Sequence, residues 1–223
     1  MSLLKNRSSM VLFHDEIGHR SQKVRIIIQE KEISCDLESL DRSAIPKEIL
    51  DVNPDGSLPL LIDRELSLYN SALIVEYLDE RFPHPPLLPV YPVARAQTRL
   101  ILDRIEKDLA IHLDTLEDEA SSKSELTKSK SALEVNLKNS LILFSNPSFF
   151  NEEEFTILDA VICPILFRLN FLGINIPNTK AATGIKDYME RIFEKTSFKA
   201  SLTEAERELS LIHISEPTRR WII

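Results

Sequence analysis

Five of the chain's 12 prolines fall within the ten residues Pro83 to Pro92 (PHPPLLPVYP). Each proline fixes its own φ and lacks an N–H, so neither a helix nor an interior strand can run through the segment. The chain must change direction or domain there. Residues before the prolines alternate between strand-like and helix-like stretches, whereas those after them are helical throughout. With 223 residues and 43% apolar content, each part can bury a core of its own.

In the first part, Met10 to His14 is an apolar run of strand length, and Ser21 to Lys31 continues the chain with helical spacing through Val24, Ile27 and Ile28. Ile33, Cys35 and Leu37 alternate onto one face, which predicts a second strand over 33–40 with Cys35 turned into a sheet core. Pro46 to Val52 has room for one or two helical turns before the reversal at Asn53-Pro54-Asp55-Gly56. Leu58 to Ile62 and Glu65 to Leu68 read as a hairpin about Asp63-Arg64. A helix over 70–82 then carries Leu73/Tyr77 and Ile74/Leu78 at i,i+4, with Asn70 or Ser71 as its cap and Pro83 as its stop.

Beyond the prolines, Ile101, Ile105 and Leu109, adjoined by Leu102, Leu113 and Leu116, predict one helix from Val93 to about Glu119, on the order of 40 Å long. Ser121 to Ser131 is Ser/Lys-rich and fits either a loop or a frayed helix start. Helical spacing resumes over 133–144 and breaks at Asn146-Pro147. Thr156-Ile157-Leu158-Asp159 has capping-box spacing at the head of an apolar helix, with Phe155 placed as a hydrophobic staple.

Charge and cysteine usage exclude several functions. The formal net charge is −8, so the field of the whole molecule opposes a polyanion, and direct nucleic-acid binding is not expected. Cys35 and Cys163 are too far apart in sequence for a C-x-x-C pair, and a reducing cytoplasm suits them. Residues 1–13 lack the apolar run of a signal peptide, and the apolar stretch 157–172 is interrupted by Asp159, Pro164 and Arg168, so no membrane association is expected. His14 and His19 bracket Asp15 and Glu16 without a converging ligand set. They read as solvated side chains rather than a metal site.

The order β-α-β-α-turn-β-β-α, a linker and a helical bundle resembles the glutathione-transferase fold. That fold has a thioredoxin-like first domain with a cis-proline before its third strand, and Leu58-Pro59 is the matching dipeptide. More specifically, Lys23-Val24-Arg25-Ile26, Asn53-Pro54, Asp63-Arg64-Glu65-Leu66, the run Glu76 to Pro86, Pro89 to Arg95 and Ser201 to Glu208 resemble the bacterial stringent starvation protein A family. The implied fold class is α+β, with a thioredoxin-like domain over 10–83 after a flexible 1–9, a proline-rich linker over 84–92, and an all-helical domain over 93–208.

The resemblance also implies a function. Members of the family are homodimeric transcription regulators that bind RNA polymerase holoenzyme through contacts to its sigma factor. Their known functional surface is the Pro-His-Pro stretch, here Pro83, His84 and Pro85, together with the adjoining Pro86 and a linker tyrosine, here Tyr91. The enzymatic alternative is a weak glutathione transferase. In that fold a nucleophile or a thiol-activating hydroxyl sits at the mouth of the first helix, where the dipole favours a thiolate. Gly18 stands where the nucleophile would be. Ser21 is open to two readings, a hydroxyl directed at a thiolate or an N-cap. Glutathione would also use the backbone at Leu58 beside Pro59 and an acidic-Ser pair, which here is Asn70-Ser71. The missing carboxylate removes a charge-assisted hydrogen bond worth about 1.5–3 kcal/mol, so any glutathione site is vestigial and weak. No catalytic residue, no metal and no cofactor are therefore expected. Residues 209–223 leave the family pattern and resemble translated adaptor sequence, which removes Trp221 from any argument about a site.

Overall fold

A computed structural model describes residues 9–145, 150 and 154–213. The chain forms two compact units, Met1–Pro85 with Ser197–Glu208, and Pro86–Thr196 with Leu209–Ile223. The break falls inside the proline segment. Residues 197–208, expected in the helical domain, lie in the first unit.

The first unit runs β1 (Val11–His14), α1 (His19–Glu30), β2 (Asp36–Ser39), α2 (Lys47–Leu50), β3 (Leu60–Asp63), β4 (Leu66–Leu68) and α3 (Ser71–Arg81). Strand order is β2-β1-β3-β4, with β1 and β2 parallel and the other two pairs antiparallel. Residues of period two divide between two faces. Val11, Phe13, Leu60 and Ile62 pack with Leu58 and Ile49 of α2 on one side, and Leu12 and Leu61 are buried on the other. Both faces of β1 and β3 are thus apolar, whereas β2 is an edge strand with a polar sequence. That position corrects the expected alternation: Leu37 is 41% exposed, and Cys35 is only partly buried, just before β2.

The second unit opens with α4 (Pro92–Ile105), which passes through a π-helical turn at 106–110 into α5 (Ile111–Glu117). The expected single helix is therefore interrupted. A wider turn leaves carbonyls for other donors, and the Asn136 side-chain amide donates to the Asp108 carbonyl at 2.8 Å. Helix α6 (Lys123–Ser140) covers most of the Ser/Lys-rich stretch and so decides between its two readings. Ser122 and Glu125 form a capping box there, the Ser122 N–H reaching Glu125 Oε2 at 2.8 Å and the Glu125 N–H reaching Ser122 Oγ at 3.3 Å. The expected break at Asn146-Pro147 lies outside the described residues.

Helix α7 (Ile157–Arg168) is buried along its whole length. Its first turn is satisfied from two directions. Asp159 Oδ2 accepts the Thr156 N–H at 2.7 Å and the Thr156 hydroxyl at 2.8 Å, and the Leu87 carbonyl accepts the Ile157 N–H at 3.0 Å. Asp159 Oδ1 also accepts the Tyr188 hydroxyl at 2.8 Å from α8 (Thr183–Glu194), and desolvation pushes the Asp159 carboxyl up. Phe155 lies under the Lys195 ammonium, 5.0 Å from its ring centroid.

Two short helices complete the described chain, α9 (Thr196–Ser201) and α10 (Glu204–His213). Helix α10 continues past Glu208 into the stretch expected to leave the native pattern, since each further helical residue adds one backbone bond to a nucleus already formed. Residues 1–8 of the expected flexible N-terminus and 214–223 of the expected tail lie outside the described residues, while Ser9 donates to Asp36 Oδ2 at 2.8 Å.

Candidate functional site

Register alone brings three short segments together in the first unit. Phe13 pairs with Leu60 and Leu61 with Leu68, so the chain before β3 (Leu58-Pro59), the loop after β1 (Asp15 to Gly18) and the start of α3 (Asn70-Ser71) all lie beyond the same end of the sheet. This is the end at which the glutathione-transferase resemblance places the glutathione-type positions. The Leu58–Pro59 bond is cis, as the resemblance implies, and so is His84–Pro85.

The mouth of α1 is occupied by the protein itself. Gly18 is the N-cap, which removes the N-cap reading of Ser21. A Cβ at Gly18 would lie 2.0 Å from Asp15 Oδ2 and 2.4 Å from Arg42 Nη2. The Asp15 carboxylate is buried, pairs with Arg42 at 2.7 Å and accepts the Ser21 hydroxyl. Ser21 in turn accepts the Asp15 N–H at 3.3 Å and has no exposed surface. An aspartate thus holds the position where the positive end of the helix would favour a thiolate. The Asp15–Arg42 pair is the feature that sequence reasoning misses. Asp15 is visible as an acidic residue next to the helix, but its partner is 27 residues away in a turn.

The other glutathione-type positions are only partly available. Asn70 is committed as the cap of α3, its side-chain oxygen accepting the N–H groups of Ala72 at 2.9 Å and Leu73 at 3.3 Å. Leu58 and Pro59 are buried. Ser71 Oγ is also buried and has no hydrogen-bond partner among the described residues.

His14 and His19 are 5% and 3% exposed, which corrects their reading as solvated side chains. Both fall where strand and helix meet the core. His14 Nδ1 lies 3.0 Å from the Asp15 carbonyl, which can only accept, so the ring donates there. Arg25 Nη1 is 3.3 Å from the same nitrogen. Desolvation, reinforced by the Arg25 charge, holds the imidazole below its ordinary value of 6.5. As pH falls through 6.5 the unfolded chain therefore takes up a proton at His14 and the folded chain does not, which favours unfolding. Stability should drop between pH 7.5 and 5.5 by more in the parent than in His14→Gln, as read from urea melts; equal drops would show that His14 is not a source of the acid sensitivity.

Arg25 itself is buried in α1. It donates to the Ser201 carbonyl at 2.9 Å and the Asp15 carbonyl at 3.1 Å, and pairs with Glu206 Oε2 at 2.8 Å. Glu206 also closes a capping box at the head of α10, the Thr203 N–H reaching Oε2 and the Glu206 N–H reaching Thr203 Oγ1, each at 3.1 Å. The T-x-x-E spacing is a legible signal for that cap, though not for the bond to Arg25. Neither cysteine is poised to react: burial pushes Cys35 up to about 12 and Cys163 well above its ordinary value.

At the far end of the first unit, Pro83, His84 and Pro85 are exposed. Beneath them the Lys31 ammonium bonds the carbonyls of Phe82 and Pro85, each at 2.6 Å, and pairs with Asp79 at 2.8 Å. In the second unit Pro86 and Tyr91 are exposed, and Leu87 and Leu88 are buried. Among the described residues no group of three or more His, Cys, Asp and Glu side chains could hold a metal ion, and no helix is long and apolar enough to cross a membrane.

The chain is 39% identical over 206 residues to the stringent starvation protein A homolog of Coxiella burnetii, a match covering 91% of this chain and 96% of the relative. The chain belongs to the stringent starvation protein A family. A second member, the homolog of Histophilus somni, is 40% identical over 203 residues, covering 91% of this chain and 94% of the relative. Residues 12–86 match the glutathione S-transferase N-terminal domain family. Among solved structures, glutathione transferase Omega 3C from Trametes versicolor superposes with a TM-score of 0.74 at 19% identity, over 97% of this chain and 95% of that one. That likeness establishes the fold, and within it this stringent starvation protein A family member has a closed first-helix mouth.

Proposed function

We propose that this chain is a transcription regulator with no chemistry of its own, which binds RNA polymerase holoenzyme, including its sigma factor, and acts in the cytoplasm as a homodimer. The observation that carries the reading is the filled mouth of α1, where Asp15 and Arg42 take up the space a nucleophile at position 18 would need. A scaffold closed at the point of its chemistry is left with its surfaces. The family resemblance supplies the partner, and Pro83, His84 and Pro85 supply an exposed contact. Successive prolines fix φ before a partner arrives, so little ordering entropy is lost on binding. The direct test is capture of purified holoenzyme by the immobilised protein, with retention of core and sigma subunits expected and no retention overturning the function.

A weak glutathione-binding role is the second reading, and the unpartnered Ser71 Oγ at the first position of α3 favours it. Turnover of a generic aromatic electrophile with millimolar glutathione should nonetheless stay near the uncatalysed rate. A robust rate that Ser21→Ala abolishes would replace the regulatory reading with an enzymatic one.

Surface composition bears on assembly. Val93 and Leu100 on α4 of the second unit are exposed large apolar side chains, as is Leu73 on α3 of the first, and exposed apolar side chains are commonly covered by a symmetry mate. Light scattering at micromolar concentration should give twice the mass of the 25.5 kDa chain. A single-chain mass would count against the homodimer.

A further inference from the structure

We propose that Lys31 is a positioning residue for the Pro83–Pro85 contact: its ammonium closes the loop across the carbonyls of Phe82 and Pro85 and holds it in its binding geometry. The proposal rests on the reading of that loop as the polymerase contact. Three observations lead to it. The Lys31 side chain has no exposed surface, an unusual condition for a lysine. Its three N–H donors meet three acceptors, Asp79 Oδ1 at 2.8 Å and the two carbonyls at 2.6 Å each. The carbonyls bracket Pro83 and His84 and lie no farther apart than twice that distance.

The sequence explains why an outside donor is needed. Pro83, Pro85 and Pro86 have no N–H, so the segment is rich in acceptors and poor in donors, and buried carbonyls must find partners elsewhere. Lys31, one residue past the end of α1, provides the donor, and Asp79 in the last turns of α3 balances its charge. Within the loop the ammonium meets only main-chain oxygens, and the side chains of Pro83, His84 and Pro85 stay exposed.

The test uses the full chain and three variants. Lys31→Met with Asp79→Leu removes both charges, which avoids leaving one buried without its partner. Asp79→Asn keeps the ammonium and its two carbonyl bonds. The double variant should keep the parent's dimer mass and a cooperative melt, shift the His84 imidazole resonances in a carbon–proton spectrum, and lose about tenfold in holoenzyme affinity. Asp79→Asn takes the charge partner from the buried ammonium, so it should melt below the parent while leaving the His84 resonances in place; shifted resonances would assign the loop's shape to Asp79 and not to the Lys31 carbonyl bonds. If the double variant folds, leaves the His84 resonances in place and captures holoenzyme like the parent, the positioning role is wrong and the polymerase contact stands. If the third variant, Pro83, His84 and Pro85 all to Ala, captures like the parent, the contact reading falls, and the His84 spectrum of the double variant still decides whether Lys31 shapes the loop. Should the double variant fail to fold, the parent answers directly. Slowly exchanging Lys31 ammonium protons with couplings to the Phe82 and Pro85 carbonyl carbons support the tether, and exchange as fast as that of surface lysines overturns it.

Discussion

Glu206→Ala should destabilise the protein by about 3–5 kcal/mol, the usual cost of breaking a buried ion pair from one side. The Arg25 and Glu206 side chains are 2% and 1% exposed and 2.8 Å apart. Arginine cannot shed its charge, so the substitution leaves a buried guanidinium without its carboxylate. The carbonyls of Ser201 and Asp15 remain as acceptors, but neither carries the balancing charge. The same substitution also removes one half of the α10 capping box, the Thr203 N–H bond to Glu206 Oε2, while the backbone N–H at position 206 keeps its bond to Thr203 Oγ1. Against a total of about 5–15 kcal/mol, the loss is large, and it should lower the melting temperature by roughly 6–20 °C in a chain of this size. Arg25→Met with Glu206→Leu should cost less than Glu206→Ala, because no charge is left behind. A melting temperature within about 2 °C of the parent for Glu206→Ala would show that the pair carries little of the stability.

Replacing Pro83, His84 and Pro85 together by alanine should lower holoenzyme capture by a factor of ten or more, equivalent to at least about 1.4 kcal/mol, with folding and dimerisation intact. All three side chains are exposed, so no core contact is removed. The carbonyls that Lys31 grips belong to the main chain and survive the substitution. The competing interpretation is a plain stiff connection, and it makes the opposite forecast: the alanine chain would lose thermal stability and keep its capture. Binding assays and melts on the same preparations separate the two. Parent-like capture by the triple variant would remove these residues from the contact.

These two sites differ in how legible they are in the sequence. The proline loop lies within ten consecutive residues, and its exposure comes from the end of one helix and the chemistry of proline. The Arg25–Glu206 pair joins residues 181 apart, and both partners sit in stretches whose local pattern says only helix. His14 and His19 show the opposite error. Their neighbours Asp15 and Glu16 make the loop look solvated, yet strand β1 and helix α1 turn both rings into the core. Ser21 resembles a cap by type and position, but the cap falls three residues earlier at Gly18. The Ser/Lys-rich stretch is ambiguous by composition. Its S-x-x-E spacing at 122–125 carries the answer, in the same kind of pattern that marks the helix start at 156–159.

Sequence alone determined the features that depend on neighbours along the chain: the strand-length apolar runs of β1 and β3, the helical stripe and stop of α3, the capping box ahead of α7, and the proline break between two units. Periodicity and φ restriction act over a few residues, so these are legible one window at a time. Tertiary structure alone decided that Asp15 and Arg42 close the mouth of α1, that residues 197–208 belong to the first unit, and that Lys31 reaches the carbonyls beneath His84. Each of these requires a buried charge or polar group to find its partner across a long stretch of chain. The cost of leaving such a group unpaired arises only once folding has taken it out of water.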